Sequence, residues 1–483
     1  MNRRQFLCAL ATPLAQPPNI ILILADDLGY GDLGCYGSPY IETPHLDRMA
    51  REGVRLIDFY AQPLCGPSRA AILTGCYPVR NSLMFNHLPS ARTGIHPGEI
   101  TVAEQMKSRG YATMIIGKWH LGDAPPFRPM RHGFDSWFGL PYSNDMWPFH
   151  PKIVRTPGEN PRLTAGRNRA GMTGYDGRGQ TYPVGWFPDL PLMDNDRVVE
   201  LNPDQTTLTA RYTGRALQFI RANRRRPFFL YFAHSMPHVP LFAGASFAGR
   251  SRRGLYGDVV GEIDAAAGSI LAELRTLGLD RRTLVVFTSD NGPWAPYGID
   301  AGSAGPLRGA KGSHWEGGIR VPAIFWFPGR LPAGRVSSEF AATIDFLPTF
   351  SKLAGAALPS DRVIDGADIM PLLTDPSAKS PHQAFFIYEA PIQYRAETGR
   401  PVNTRILRAV RSGQWKLHVK GSEGNYESAA LYDLYSDIGE TTDVAARHPD
   451  VAERLLAIGS RFDRELPRAI RPLGELPAPQ STN

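Results

Sequence analysis

The run Asn19-Ile20-Ile21-Leu22-Ile23-Leu24-Ala25 stops abruptly at Asp26-Asp27, and far along the chain Thr283-Leu284-Val285-Val286-Phe287-Thr288-Ser289 stops in the same way at Asp290-Asn291-Gly292. A short continuous apolar run is the pattern of a strand covered on both faces. Polar residues placed directly after it stand at the strand's carboxyl end. The same order occurs twice more: Ala112-Thr113-Met114-Ile115-Ile116-Gly117 leads into Lys118-Trp119-His120, and Pro227-Phe228-Phe229-Leu230-Tyr231-Phe232-Ala233 leads toward His234 and His238.

Helical stretches alternate with these strands. Thr43 is placed to cap a helix whose first residue is Pro44, and residues 257–277 carry Val259, Val260, Ile263, Ala266 and Ile270 at helical spacing. Alternating strands and helices predict an α/β fold on an open, mostly parallel central sheet flanked by helices, with ligands beyond the carboxyl ends of the strands. The four polar clusters then converge on one rim. After about Asp375 the segments shorten: 408–411, 415–419 and 430–434 read as a small antiparallel sheet, followed by a helix at 451–466. The expected organisation is a leader at 1–16, a catalytic domain at 17–375 and a smaller α+β domain at 376–483. The Gly- and Pro-rich residues 165–185 read as a long loop.

The chain has 483 residues, 42% hydrophobic and 20% charged, close to globular averages, which excludes disorder and a multi-span membrane protein. The net charge of +7 favours anionic partners, but the arginines are scattered and form no basic block, so nucleic acid is not indicated. Arg3-Arg4-Gln5-Phe6-Leu7 and the small and apolar residues up to Ala15 resemble a bacterial twin-arginine export signal, although Pro13 interrupts the apolar part. No other run reaches the ~20 apolar residues of an integral membrane span. A periplasmic or secreted protein is expected. Of the cysteines, Cys8 would leave with the leader, and whether Cys35 and Cys76 pair stays open.

Asp26-Asp27 with Asp290-Asn291 supply only hard oxygen ligands, suited to calcium or magnesium; Asp and Asn are also common turn formers, and these residues alone leave both readings open. The segment Leu64-Cys65-Gly66-Pro67-Ser68-Arg69-Ala70-Ala71-Ile72-Leu73-Thr74-Gly75 narrows the choice. It matches the C-x-P-S-R and L-T-G pattern of the type I sulfatase family, which the chain resembles across nearly its whole length. That resemblance implies an alkaline-phosphatase-like fold, one bound calcium, and oxidation of Cys65 to formylglycine by a maturation enzyme. It further implies metal ligation by Asp26, Asp27, residue 65, Asp290 and Asn291, with Arg69 holding the formylglycine. Lys118 and His120 match the pair beside the nucleophile. Ser143, in Pro141-Tyr142-Ser143-Asn144-Asp145, resembles a sulfate-contacting serine of the arylsulfatase A branch. His238 and Lys311 match the remaining sulfate-facing histidine and lysine. His234 has the wrong spacing to the following Pro and is read as a neighbour, and His314 and Glu316 as supporting groups.

A sulfate monoester is an anion, so attack on sulfur needs cations that offset charge on its oxygens. Calcium, Arg69, Lys118 and Lys311 supply them. A formylglycine hydrate carries two hydroxyls on one carbon: one attacks sulfur, and the other later expels sulfate and restores the aldehyde. By resemblance, His238, with Lys311, protonates the leaving alcohol, and His120 takes the proton on sulfate release. Two other functions are weighed against this one. A phosphoester or phosphonate hydrolase of the same superfamily would want two metals or a Ser or Thr nucleophile. A non-catalytic binder of sulfated glycans would have lost the nucleophile or a lysine. Residues 141–145 and 245–257 resemble the arylsulfatase A and N-acetylgalactosamine-6-sulfatase branch, which implies a sulfated carbohydrate as substrate, with aryl sulfates also turned over.

Overall fold

Asn19–Ala25 lies at the centre of a ten-stranded sheet, with Thr283–Ser289 on one side and Phe228–Ala233 on the other, both parallel to it. Ala112–Gly117 and Ser136–Gly139 continue the parallel set beyond Phe228–Ala233. The structure is a computed structural model that describes residues 17–149, 187–389 and 405–477; the leader-like residues 1–16 and the loop at 165–185 fall outside the described residues. Strand side chains alternate between faces. In the central strand Ile21, Ile23 and Ala25 join one core cluster, while Ile20, Leu22 and Leu24 join the other. Helices Pro44–Glu52, Leu208–Ala222 and Leu255–Thr276 cover the first face, and Cys65–Thr74, Val102–Ser108 and Phe346–Ala354 cover the second. This two-sided burial explains why the strands read as unbroken apolar runs.

The margins of the sheet depart from the parallel pattern. Ala323–Trp326 runs antiparallel beside Thr283–Ser289, followed by Val54–Leu56 and Arg335–Ser337, and the other margin is the hairpin of Pro191–Asp194 and Arg197–Leu201. Thr43 does precede the helix that begins at Pro44, but its hydroxyl does not cap that helix. It accepts from Gly34 N at 2.9 Å and donates to Asp47 at 3.0 Å, tying the helix to the preceding loop. The second helix begins at Leu255, two residues before its expected start.

A separate four-stranded antiparallel sheet is built from Phe385–Tyr388, Leu407–Ser412, Trp415–Ser422 and Asn425–Asp433, with helix Pro449–Glu465 against it. Its core residues cluster with Tyr60, Ala71, Tyr77 and Val79, which brings this sheet against the Cys65–Thr74 helix. Cys35, Cys65 and Cys76 are free thiols. Among the described residues no helix is long and apolar enough to cross a membrane.

Gly117 ends its strand with φ +98°, and a Cβ there would lie 1.8 Å from the Ala233 carbonyl oxygen. Only glycine allows Lys118 to leave this strand end at that approach. Gly117→Ala is expected to lower the unfolding free energy by about 2–4 kcal/mol, measured by urea denaturation; a loss within about 0.5 kcal/mol would contradict the contact.

Candidate active site

The register of the parallel strands sets the site. Ala25 pairs with Ser289 and Gly117 with Ala233, so Asp26-Asp27, Asp290-Asn291 and Lys118 leave neighbouring strands at similar heights. Cys65 arrives from the second face as the first residue of its helix, with Leu64 extended before it. Ser68 closes that entry by bonding both N–H and carbonyl of Gln62 at 3.0 Å, and Pro67 is tolerated because first-turn residues need no intrahelical donor. Arg69 lies one turn along, on the same helix side as Cys65. Its fully buried guanidinium donates to Lys118 O at 2.7 Å and Asp290 Oδ2 at 2.8 Å, and lies 3.4 Å from Asp26 Oδ2. One side chain thereby joins three strand ends.

The residues expected to bind metal, sulfate or nucleophile, His120 apart, form one connected network. Lys118 Nζ donates to Asp26 Oδ2 at 2.5 Å and to Ser143 Oγ at 3.2 Å, and Ser143 Oγ lies 3.3 Å from His238 Nε2. Lys311 Nζ donates to Asp27 at 2.8 Å, and His238 Nε2 is 3.5 Å from the same carboxylate. Asn291 Nδ2 donates to Asp27 Oδ1 at 2.7 Å, and Asp27 N donates to Asp290 Oδ1 at 3.1 Å. Cys65 Sγ is 3.5 Å from Asp26 Oδ1 and 3.8 Å from Asp27 Oδ1. His120 is fixed through its backbone, N to Pro141 O at 3.0 Å with φ +62°, and both of its buried ring nitrogens lack a hydrogen-bond partner among the described residues.

Burial and mutual charge set the protonation. Burial alone would raise the Asp26 carboxyl, but Lys118, with His238, Arg69 and Lys311, holds it well below the usual range. Burial and the Asp26 charge push Asp290 up to about 6 against the pull of Arg69. Burial pushes the Cys65 thiol well up, with Lys118 and Lys311 opposing and Asp26 and Asp290 adding. Burial lowers His238, helped by Lys311, and lowers His120 far more, helped by Lys118 and Arg69, so both imidazoles are neutral near neutral pH. Burial works against the charge on Lys118 and Lys311, but Asp26 and Asp27 respectively override it.

The donor set fits a hard cation. Asp26, Asp27 and Asp290 are matched one for one by Lys118, Lys311 and Arg69, and Asn291 Oδ1 is a buried carbonyl oxygen without a hydrogen-bond partner among the described residues. A divalent ion among these oxygens would leave an excess of positive charge facing an anionic substrate. Ligand atoms of Asp26, Asp27, Cys65 and His238 lie within 4.8 Å of one another.

His234 stands apart from the network: its ring packs on Phe232 at 4.3 Å, its nitrogens lack hydrogen-bond partners among the described residues, and burial lowers it to about 3. Glu316 belongs to another buried ionic cluster, 3.0 Å from Lys416. Trp294 escaped the sequence reading. The Lys311 ammonium lies 4.4 Å from its ring centroid and the His238 ring 5.2 Å from it. The available signal was a tryptophan three residues after Asn291 in a Gly-Pro turn. Asn144, which the sequence marks only as a neighbour of Ser143, donates to Pro240 O at 3.1 Å and to Gln205 at 3.0 Å, fixing the loop that carries His238.

The sulfatase family profile matches residues 18–356, and that of the N-sulphoglucosamine sulphohydrolase C-terminal region matches residues 311–458. Human arylsulfatase A is 41% identical, covering 94% of this chain and 89% of the relative. Rat N-acetylgalactosamine-6-sulfatase is 41% identical, covering 85% of this chain and 73% of the relative. The crystal structure of Ps i-CgsB in complex with k-i-k-neocarrahexaose superposes with a TM-score of 0.72 at 28% identity, over 93% of each chain. The chain belongs to the sulfatase family and is a sulfuric ester hydrolase.

Proposed function

We propose that this sulfatase cleaves sulfate monoesters of carbohydrates at residue 65, matured to formylglycine, beside one calcium ion. The observation that carries the reading is the setting of Cys65: its sulfur is 3.5 Å from Asp26 at a helix start, in one network with two lysines, an arginine and His238. Asp26, Asp27, Asp290, Asn291 and residue 65 would hold the calcium, which supplies Lewis-acid charge stabilisation to a sulfate oxygen. Formylglycine, whose hydrate offers two hydroxyls on one carbon, supplies a nucleophile that can be regenerated.

The remaining work falls to side chains of this chain. Lys118, Lys311 and Ser143 bind sulfate oxygens. Arg69 holds residue 65 and the strand ends in place. His238 Nδ1 lies 2.5 Å from Val239 O and donates to it, so in the neutral ring Nε2 is a bare acceptor. It would take up the proton that residue 65 gives up on attack and pass it to the leaving alcohol. Neutral His120, with its ring nitrogens uncommitted, serves as the base for sulfate release. The relatives named for sugar sulfates and the oligosaccharide complex of Ps i-CgsB support a carbohydrate substrate; aryl sulfates are accepted as well. The leader-like residues 3–15 support export, which would bring the chain to the periplasm or outside, and maturation implies an encounter with a formylglycine-generating enzyme. We keep the boundary near residue 375 between the catalytic and C-terminal parts as part of the same proposal.

Peptide mass spectrometry of active enzyme is expected to find the aldehyde or its hydrate at position 65, while full activity with an intact thiol would overturn the reading. A panel of sulfated mono- and disaccharides alongside an aryl sulfate then identifies the substrate.

The two histidines are separated by rapid mixing. His120→Ala is expected to release alcohol once and then stall before sulfate release. His238→Ala is expected to slow alcohol release itself by about 10²–10⁴-fold, most severely for sugar sulfates, whose leaving oxygen needs the proton more than an aryl oxide does. A burst of alcohol from His238→Ala with none from His120→Ala would reverse the roles.

A further inference from the structure

The turn that carries Lys311 rests on a short helix, Glu316–Ile319, that also touches the other side of the site. A Cβ on Gly318 would lie 2.3 Å from Ser313 O and 2.6 Å from Ala310 O, so the turn sits directly on this glycine. On the opposite side Gly292, next to Asn291, donates to Gly318 O at 3.0 Å, and a Cβ on Gly292 would lie 1.8 Å from Gly317 O. The turn is further tied to the site by Lys311 N to Pro293 O at 3.0 Å and Gly312 N to Pro63 O at 2.8 Å. Any shift of this helix therefore moves the Lys311 turn and the Asn291 strand end.

The helix is anchored from the C-terminal sheet. Lys416, fully buried on strand Trp415–Ser422, lies 3.0 Å from the Glu316 carboxylate and 2.9 Å from that of Glu440. Glu440 in turn accepts from Glu316 N at 2.7 Å. Burial alone would raise the Glu316 carboxyl, but Lys416, with Arg320 and Arg411, lowers it to about 2, so it is ionised at any working pH. Without Lys416, two buried carboxylates would face each other across the helix start.

We infer that Lys416 is a positioning residue for sulfate ester cleavage: from the C-terminal sheet it fixes Glu316, and through the Glu316–Ile319 helix it sets the Lys311 turn. The inference rests on the role proposed above for Lys311. It gives the C-terminal sheet a part in the chemistry without contact with the substrate.

The test is a double-mutant cycle with an aryl sulfate, reading kcat and KM separately for wild type, Lys416→Met, Lys311→Ala and the pair. Displacing a reacting group by about an ångström costs up to about 10²-fold. Lys416→Met is expected to lower kcat/KM about 30-fold in the wild-type background, mainly through kcat, and only about threefold once Lys311 is gone, the remainder passing through the Asn291 strand end. Lys416→Arg, which keeps the charge, is expected to recover part of the loss. Equal losses in both backgrounds, or no loss at all, would overturn the inference while leaving the reading of the site intact. A Lys311→Ala enzyme as active as wild type would instead overturn that reading. Should Lys416→Met fail to fold, Glu440→Gln enters the same cycle, and the same contrast between backgrounds is required.

Discussion

Three carboxylates buried within reach of one another at two adjacent strand ends are the constraint around which the site is arranged. Asp26, Asp27 and Asp290 cannot share a dry pocket at full charge without cations. Each cation comes from a different part of the chain: Arg69 from the Cys65–Thr74 helix, Lys118 from a strand two places away, Lys311 from a turn far along the sequence. The parallel sheet makes this possible by bringing carboxyl ends to one rim. Removing any one partner leaves a charge uncompensated, at a cost of about 3–5 kcal/mol. Assembly of the site and stability of the fold are thus coupled.

The same arrangement explains why the site suits an anion whose charge shifts during reaction. The lysines are held protonated against burial by Asp26 and Asp27, and both histidines are held neutral. Fixed positive charge and uncharged imidazoles lie side by side, so the field that would meet a developing negative charge is set in advance. Trp294 closes one side over Lys311 and His238.

Much of this was legible in the sequence, for physical reasons. Strands buried on both faces show as unbroken apolar runs, and the residue after each run stands at a strand end; both follow from local pattern, and Asp26, Lys118 and Asp290 were found in that way. The antiparallel margins were not legible, because Val54–Leu56 and Arg335–Ser337 are three-residue strands with no pattern of their own. Thr43 was in the right place, but its hydroxyl bonds a loop that no local rule connects to it. The anchoring of Glu316 by Lys416 spans 100 residues, and Trp294 gained its place only when the Asn291 and Lys311 loops met. Contacts of this kind come from tertiary packing, and single-sequence reading sees them only through a known family pattern.

The choice of ligands separates a hard-cation site from a softer-metal one. An unmodified Cys65 with His238, Asp26 and Asp27 would suit zinc, whereas the carboxylates with Asn291 Oδ1 suit calcium. Calorimetric metal titration of wild type and Asn291→Ala, with hydrolysis followed on the same samples, decides between them. One calcium per chain is expected, bound at least about tenfold more weakly when the Asn291 oxygen is removed, with activity falling in parallel. Stoichiometric zinc, with turnover unchanged after calcium is withdrawn, would contradict it.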